Sequence, residues 1–164
     1  MDQLWAPWRL AYVAKETPSQ LGDECFICRG LSESNDRANL ILQRTQFSAV
    51  VLNKFPYNNG HLLVAPRAHK GRLGELTAEE SLDLQNGLTR MIRVMEQTMR
   101  PEGFNVGLNL GKVAGAGLPG HLHWHIVPRW NGDTNFMPVF GDVRVISQSL
   151  DALYNLLSAA LDQA

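Results

Sequence analysis

The stretch that most constrains the fold runs from His121 to Pro128 and alternates three histidines with large apolar residues. A β-strand directs successive side chains to opposite faces, so this spacing predicts a strand with the imidazoles of His121, His123 and His125 on one face. The whole chain contains five histidines, so three at this spacing indicate a shared function. Alternate residues on one face lie about 6.5–7 Å apart. Several imidazoles could therefore hold one metal ion, or one could react while its neighbours orient it.

The length and composition of the chain indicate one globular unit. A chain of 164 residues with 45% hydrophobic residues is typical of a single domain spanning 1–164. The formal net charge of −1 gives no cationic footprint, so no nucleic-acid partner is expected. The sequence also has no run of about 18 apolar residues and no basic-then-apolar N-terminus. We therefore expect a soluble, cytoplasmic protein with no membrane partner.

The order of hydrophobic patterns predicts an α+β domain built on an antiparallel sheet of about five strands. Besides the histidine strand, the β-prone runs are 39–44, 47–52, 61–65 and 104–110. Thr77 and Glu80 form a capping box, and apolar residues at helical spacing follow it as far as Pro101. This pattern predicts one long central helix, and leucines from Leu150 to Leu161 predict a C-terminal helix.

The only two cysteines, Cys25 and Cys28, are separated by two residues. Two cysteines are too few for a disulfide framework, and no βαβ pattern surrounds them, which disfavours a thioredoxin-like use. The polar residues that follow predict a turn. Two thiolates in a turn are a suitable half-site for zinc.

The loop from Gly111 to Gly120 contains four glycines and leads directly into the histidine stretch. Glycine adopts positive φ and allows close approach, so such a loop can direct amide N–H groups at a phosphate, although a plain flexible connection has the same composition. Two chemistries compete for the histidines. Three imidazoles could bind zinc and activate water, or a neutral imidazole could attack phosphorus and form a phosphoramidate. The glycine loop favours attack on phosphorus.

The stretch from His121 to Val127 resembles the His-φ-His-φ-His-φ-φ signature of the histidine triad (HIT) superfamily of nucleotide hydrolases and transferases, φ being a hydrophobic residue. The order of elements is also similar, with Asn53 after a strand, Pro56 three residues on, Gly60-His61 before the next strand, and Asn109 before the glycine loop. The resemblance implies that His123 attacks the α-phosphate and carries the nucleotidyl group. It also implies that His125 contacts the phosphate or the leaving group, and that His121 orients the nucleophile.

The resemblance implies further contacts to the nucleotide. Asn53 would bind the ribose hydroxyls, Asn109 would lie near the phosphates, and the backbone at Gly117 would contact them together with His123 and His125. Many HIT proteins carry a Gln-Ser/Thr pair before the triad. This chain has no hydroxyl between Ala116 and Gly120, so a side-chain phosphate ligand is not expected there.

A structural zinc site is also implied by the resemblance. Several bacterial members bind zinc through a C-x-x-C pair, a histidine after the third strand and the first triad histidine. These would be Cys25, Cys28, His69 and His121 in this sequence. No organic cofactor is expected. His61 is expected to make a structural hydrogen bond.

The expected function is cleavage of a dinucleoside polyphosphate, such as diadenosine tetraphosphate, through a nucleotidyl-His123 intermediate with water or phosphate as acceptor. The stretches Trp5–Arg9 and Pro128–Asp133 are similar to the diadenosine tetraphosphate phosphorylase-like members. Trp5, Trp8 and Tyr12 are otherwise expected to pack as an apolar clamp. Three alternatives stay open: a nucleoside phosphoramidate hydrolase, a nucleotide-binding or zinc-organised interaction protein with little catalysis, and a zinc hydrolase with three histidine ligands. The resemblance also implies a homodimer.

Overall fold

The computed structural model describes residues 25–133 and 146–163. The clamp predicted at Trp5, Trp8 and Tyr12 lies outside these residues. Three helices are described, and we name them α1 (Phe26–Ser32), α2 (Ala78–Met99) and α3 (Leu150–Leu161). The five strands are β1 (Ile41–Arg44), β2 (Ser48–Leu52), β3 (Leu62–Pro66), β4 (Gly103–Leu108) and β5 (Trp124–Arg129).

The strands form one antiparallel sheet in the order β1-β2-β3-β5-β4. This arrangement confirms the predicted α+β class with a five-stranded antiparallel sheet. The central strand β3 pairs with β5, so that Leu63 lies opposite His125 and Leu62 lies opposite Ile126. Strand β4 forms one edge of the sheet.

The main core lies between one face of the sheet and the helices α2 and α3. Apolar side chains from β2, β3 and β5 alternate along each strand, as the pleat requires, so every second residue reaches this core. The core residues are Val50, Leu52, Leu62, Val64, Leu84, Leu88, Met91, Val94, Met95, Ile126, Leu153 and Leu157. Because Ile126 faces the helices, its neighbour His125 faces the opposite side of the sheet.

The central helix begins and ends for identifiable reasons, and its predicted position is confirmed. The Thr77 hydroxyl accepts a hydrogen bond from the Glu80 amide, and the Glu80 carboxylate accepts one from the Thr77 amide. Arg100 adopts the left-handed conformation after the last turn, directly before Pro101. The C-terminal helix is also confirmed, with Ser149 as its N-cap.

Two sequence-based interpretations need correction. The cysteine pair does not lie in a turn, because Cys25 is the N-cap of α1 and its sulfur accepts a hydrogen bond from the Cys28 amide. The histidine strand is also shorter than predicted, since β5 begins only at Trp124. Before that point the Leu122 amide bonds to the Lys70 carbonyl. His121 and His123 therefore lie outside the β5 ladder.

None of the helices in the described ranges is both long and apolar enough to span a bilayer.

Candidate active site and metal centre

His125 lies on the face of the sheet opposite α2 and α3 and is held there by a hydrogen bond from the buried histidine His61. Its Nδ1 lies 2.8 Å from Nε2 of His61, which is only 1% exposed at the start of β3. The Nε2 atom of His125 is buried and has no hydrogen-bond partner among the described residues. A buried ring nitrogen without a partner is costly, so it marks a place where a ligand atom would bind.

A backbone amide determines which nitrogens of this pair carry protons. The Tyr57 N–H donates to Nδ1 of His61 at 3.0 Å, so this nitrogen must be unprotonated and Nε2 of His61 must carry the proton. His61 then donates to Nδ1 of His125, which leaves the proton of neutral His125 on its Nε2. His125 therefore presents an N–H donor to the site.

His123 has the opposite tautomer. Its Nδ1 lies 2.8 Å from the carbonyl oxygen of His121, and a carbonyl can only accept, so Nδ1 carries the proton. The Nε2 lone pair of His123 is thereby available as a nucleophile. The rings of His123 and His125 lie 5.1 Å apart in an edge-to-face arrangement. A lone pair and an N–H donor are thus side by side.

The pKa of His125 is lowered to about 4, first because burial disfavours the charged imidazolium and second because of the charge of His123 nearby. At neutral pH His125 is therefore uncharged. It can donate a hydrogen bond to an anionic oxygen but does not bring a positive charge of its own.

The glycine loop follows β4 and uses two of its glycines for conformations that other residues avoid. Gly111 has a φ of 83° and Gly115 one of 93°, on either side of a short 3₁₀ turn at Lys112–Ala114. The Asn109 amide group donates to the Gly115 carbonyl at 3.4 Å. Gly117 has open space where a side chain would begin, so its lack of a side chain is not imposed by packing.

Asn53, assigned by resemblance to the ribose, lies beside the His61–His125 pair. Its Oδ1 accepts a hydrogen bond from the Phe55 amide at 2.9 Å, and its Nδ2 lies 3.2 Å from Nδ1 of His61. Asn53 thus helps to order the loop that precedes β3. It also provides a second N–H donor to Nδ1 of His61, which agrees with the unprotonated state of that atom.

A second cluster brings together the four residues expected to bind metal: Cys25, Cys28, His69 and His121. Their ligand atoms all lie within 4.8 Å of one another. Nδ1 of His121 is 3.2 Å from the sulfur of Cys25, and Nδ1 of His69 is 3.2 Å from the sulfur of Cys28. A tetrahedral zinc ion separates its sulfur and nitrogen ligands by roughly 3.5 Å, so the donor set fits zinc.

The protonation of the cluster also fits a cation. The Nε2 atom of His121 lies 2.8 Å from the Pro66 carbonyl, so it donates and leaves Nδ1 unprotonated toward the thiols. Burial, together with the hydrogen bond and the charge of Cys25, raises the pKa of the Cys28 thiol to about 11. A cation bound between the two sulfurs would stabilise their thiolate forms.

The side chain of His121 therefore lies in the candidate metal cluster, whereas the rings of His123 and His125 lie next to each other. His121 and His125 have different partners, since Nδ1 of His121 faces the thiols whereas Nδ1 of His125 bonds to His61. Among the described residues, the side chains placed to share a metal ion are Cys25, Cys28, His69 and His121, which disfavours a zinc ion bound by all three triad histidines. The backbone carbonyl of His121 accepts the hydrogen bond from Nδ1 of His123.

His61 makes the structural hydrogen bond that was expected of it, and the partner in that bond is His125. The sequence signal was its position after Gly60 at the start of a strand that pairs with the histidine strand. The contribution of Tyr57 left no sequence signal, since its hydrogen bond comes from the backbone.

Known proteins similar to this chain were found by sequence and by structure. Residues 34–132 match the HIT domain. AP-4-A phosphorylase of Mycobacterium tuberculosis is 40% identical over 162 residues, which covers 96% of this chain and 83% of the relative. Bis(5'-nucleosyl)-tetraphosphatase (asymmetrical) of Schizosaccharomyces pombe is 36% identical over 93 residues, covering 57% of this chain and 50% of that protein.

Among solved structures, a Zn-bound histidine triad family protein from Mycobacterium smegmatis has a TM-score of 0.68 at 26% identity, with 85% of this chain and 94% of that chain covered. The domain match covers more than half of this chain and includes His121, His123 and His125. The chain therefore belongs to the HIT family.

Proposed function

We propose that the protein cleaves dinucleoside polyphosphates, such as diadenosine tetraphosphate, at the α-phosphate through a nucleotidyl-His123 intermediate. The observation that carries this proposal is the pair of opposite tautomers, with a lone pair on Nε2 of His123 and a proton on Nε2 of His125. The names of the relatives from M. tuberculosis and S. pombe support the same class of substrate.

In the first step, Nε2 of His123 forms a bond to the α-phosphorus while the bond from phosphorus to the bridging oxygen breaks. The leaving nucleoside polyphosphate takes the electron pair of that bond. The His121 carbonyl accepts a hydrogen bond from Nδ1–H of His123 and so stabilises the positive charge that develops on the ring. His125 donates its Nε2–H to a phosphate oxygen or to the departing oxygen.

In the second step, an oxygen of water or inorganic phosphate attacks the same phosphorus, and the bond to His123 breaks with its electron pair returning to Nε2. Water gives a nucleoside monophosphate, and phosphate gives a nucleoside diphosphate. We assign the ribose contact to Asn53 and the phosphate contacts to Asn109 and the backbone at Gly117. The positive φ of Gly111 and Gly115 shapes the loop that carries Asn109 and Gly117, and this supports the assignment.

We further propose that Cys25, Cys28, His69 and His121 bind a structural zinc ion. Zinc bound there would neutralise both thiolates and cross-link three segments of the chain. No step of the reaction needs it as a Lewis acid. Its consequence for catalysis is indirect, because the carbonyl that holds the nucleophile belongs to one of the ligands.

A single-domain homodimer is the proposed form of the protein. The position of β4 at the edge of the sheet within residues 25–133 and 146–163 supports this, since Val106 is 45% exposed there, and Val113 in the following loop is fully exposed. The cytoplasm is the proposed location, because free Cys25 and Cys28 suit a reducing compartment.

The proposal is tested by incubating the protein with diadenosine tetraphosphate, diadenosine triphosphate and an adenosine phosphoramidate, with and without inorganic phosphate. Products identified by mass distinguish water from phosphate as the acceptor. Replacing His123→Asn is expected to abolish turnover of all three substrates while retaining the thermal stability of the protein. Tight nucleotide binding without turnover by the unmodified protein would favour a binding protein instead.

A further inference from the structure

Tyr57 lies against both His61 and His125, yet about half of its surface is exposed. Its ring centroid is 4.6 Å from that of His61 and 5.7 Å from that of His125, with an angle of only 21° to the latter ring. The side chain is 49% exposed. One side of the phenol ring thus covers the catalytic donor while a large part faces solvent.

A second aromatic ring is exposed in the same loop. Phe55 is 72% exposed, and Lys54 beside it is also exposed. Exposed aromatic surface is unfavourable in water, and where it adjoins a reactive centre it indicates a binding surface. The loop therefore offers two rings and one positive charge at the entrance to the site.

The loop is held in this conformation before any ligand binds. The Phe55 amide donates to Oδ1 of Asn53 at 2.9 Å, and the Tyr57 amide donates to Nδ1 of His61 at 3.0 Å. Pro56 between them fixes one further backbone angle. Because the backbone is already ordered, the loop loses little conformational entropy when a ligand stacks on these rings.

We propose that Tyr57, assisted by Phe55, is a stacking platform for the base of the leaving nucleoside. This inference rests on the proposed cleavage of dinucleoside polyphosphates. Nε2–H of His125 faces the phosphate that is attacked, and Tyr57 is stacked on the same imidazole, so the departing chain leaves alongside the phenol ring. A purine at the end of that chain meets an aromatic face, while Lys54 neutralises part of the polyphosphate charge.

The expected effect is on substrate preference, because only a substrate with a second nucleoside can use the platform. Stacking of a base on an aromatic side chain contributes about 1–3 kcal/mol, which corresponds to roughly 5- to 150-fold in kcat/KM. If Tyr57 only held His125 in position, its replacement would instead slow the cleavage of every substrate by the same factor.

The experiment compares diadenosine tetraphosphate with adenosine tetraphosphate, which has the same phosphate chain but no second nucleoside. The measured quantity is the ratio of kcat/KM for the two substrates. Tyr57→Leu is expected to lower this ratio about 10-fold. Tyr57→Phe retains a ring and is expected to retain the ratio, as is the control Leu82→Ala, which changes a 63% exposed residue on α2.

A Tyr57→Leu protein with an unchanged ratio would overturn the platform, whether its activity is normal or equally reduced on both substrates. Failure of the proposed function gives a different result, because the unmodified protein would then cleave neither substrate. The two failures are therefore distinguishable in one set of assays.

Discussion

Three backbone groups determine the protonation of four imidazoles in this protein. The Tyr57 amide fixes His61 and, through it, His125, while the His121 carbonyl fixes His123. The Pro66 carbonyl fixes His121. Backbone groups do not titrate, so they fix which ring nitrogen carries the proton in the neutral form of each histidine.

Replacing His61→Leu is expected to lower kcat about 100-fold with KM changed only a few-fold, because His125 can then place its proton on Nδ1, away from the phosphate. His61→Gln keeps an N–H donor and is expected to recover part of the rate. NMR of the ring nitrogens checks the cause, since the Nε2–H tautomer of His125 should disappear in the leucine variant. Full activity of the leucine variant would contradict the claim that His61 fixes the tautomer of His125.

The lowered pKa of His125 predicts an acid-sensitive stability. An unfolded chain binds a proton at this residue below about pH 6.5, whereas the folded protein does so only near pH 4. The contribution of His125 to the free energy of unfolding is therefore complete above pH 6.5 and is lost as the pH falls toward 4. It amounts to about 1–2 kcal/mol for a partly exposed ring.

Chemical denaturation at pH 7.5 and pH 4.5 measures this contribution, with His125→Gln as the matched control. The unmodified protein is expected to lose more unfolding free energy between the two pH values than the glutamine variant. Equal losses would show that His125 titrates normally.

At the scale of elements, the loop between β2 and β3 is fastened to the far end of β5. The Asn58 side chain donates to the Pro128 carbonyl at 3.1 Å and to the Asp133 carboxylate at 2.8 Å. Arg129 binds the same carboxylate through two nitrogens, and its hydrogen bond is the first cause that lowers the pKa of Asp133 to about 2. These contacts hold the loop that supplies Asn53, Tyr57 and His61.

Gly60 is the position at which this loop is most sensitive to substitution. Its φ is 81°, and an added Cβ would lie 2.8 Å from Cγ of Pro128. Gly60→Ala is therefore expected to lower the free energy of unfolding by about 2–3 kcal/mol. Gly103→Ala on β4, where the added Cβ meets no atom within 4 Å, should cost less than about 1 kcal/mol. Equal effects in denaturant titrations would argue against this close contact.

The elements themselves were predictable because their signals are local. The β-prone run at Ser48–Leu52, the capping box at Thr77 and the apolar spacing up to Met99 each follow from a few neighbouring residues. The direction of His121 was not predictable in this way, since it depends on Pro66 and Cys25, which lie 55 and 96 residues away. Resemblance supplied the metal ligands where local pattern could not.

At the scale of the whole molecule, the metal cluster joins the start of α1, the turn after β3 and the segment before β5. The latter two segments also meet through the bond from the Leu122 amide to the Lys70 carbonyl. Lys70 in turn binds the Glu80 carboxylate at the start of α2, at 2.5 and 2.7 Å. These contacts connect the cluster to α2 and to the segment that carries His123.

Purified protein is expected to contain one zinc ion per chain, and a strong chelator should lower its Tm by roughly 10 °C through loss of this cross-link. Cys25→Ser should contain little zinc and unfold at the lower temperature with or without chelator. Metal analysis and thermal unfolding measure both effects. If the Tm stays unchanged when the chelator has removed the bound zinc, a structural role for the cluster is contradicted.

The central claim is that His123 carries the nucleotidyl group, and intact-protein mass spectrometry tests it most directly. Protein mixed with diadenosine tetraphosphate in the absence of phosphate is quenched in alkali, which preserves a phosphoramidate, and is then digested to locate the adduct. We expect a mass increase of one adenylyl group, on the peptide that contains His123, and none in His123→Asn. An adduct on another residue, or turnover by His123→Asn at the normal rate, would contradict the account.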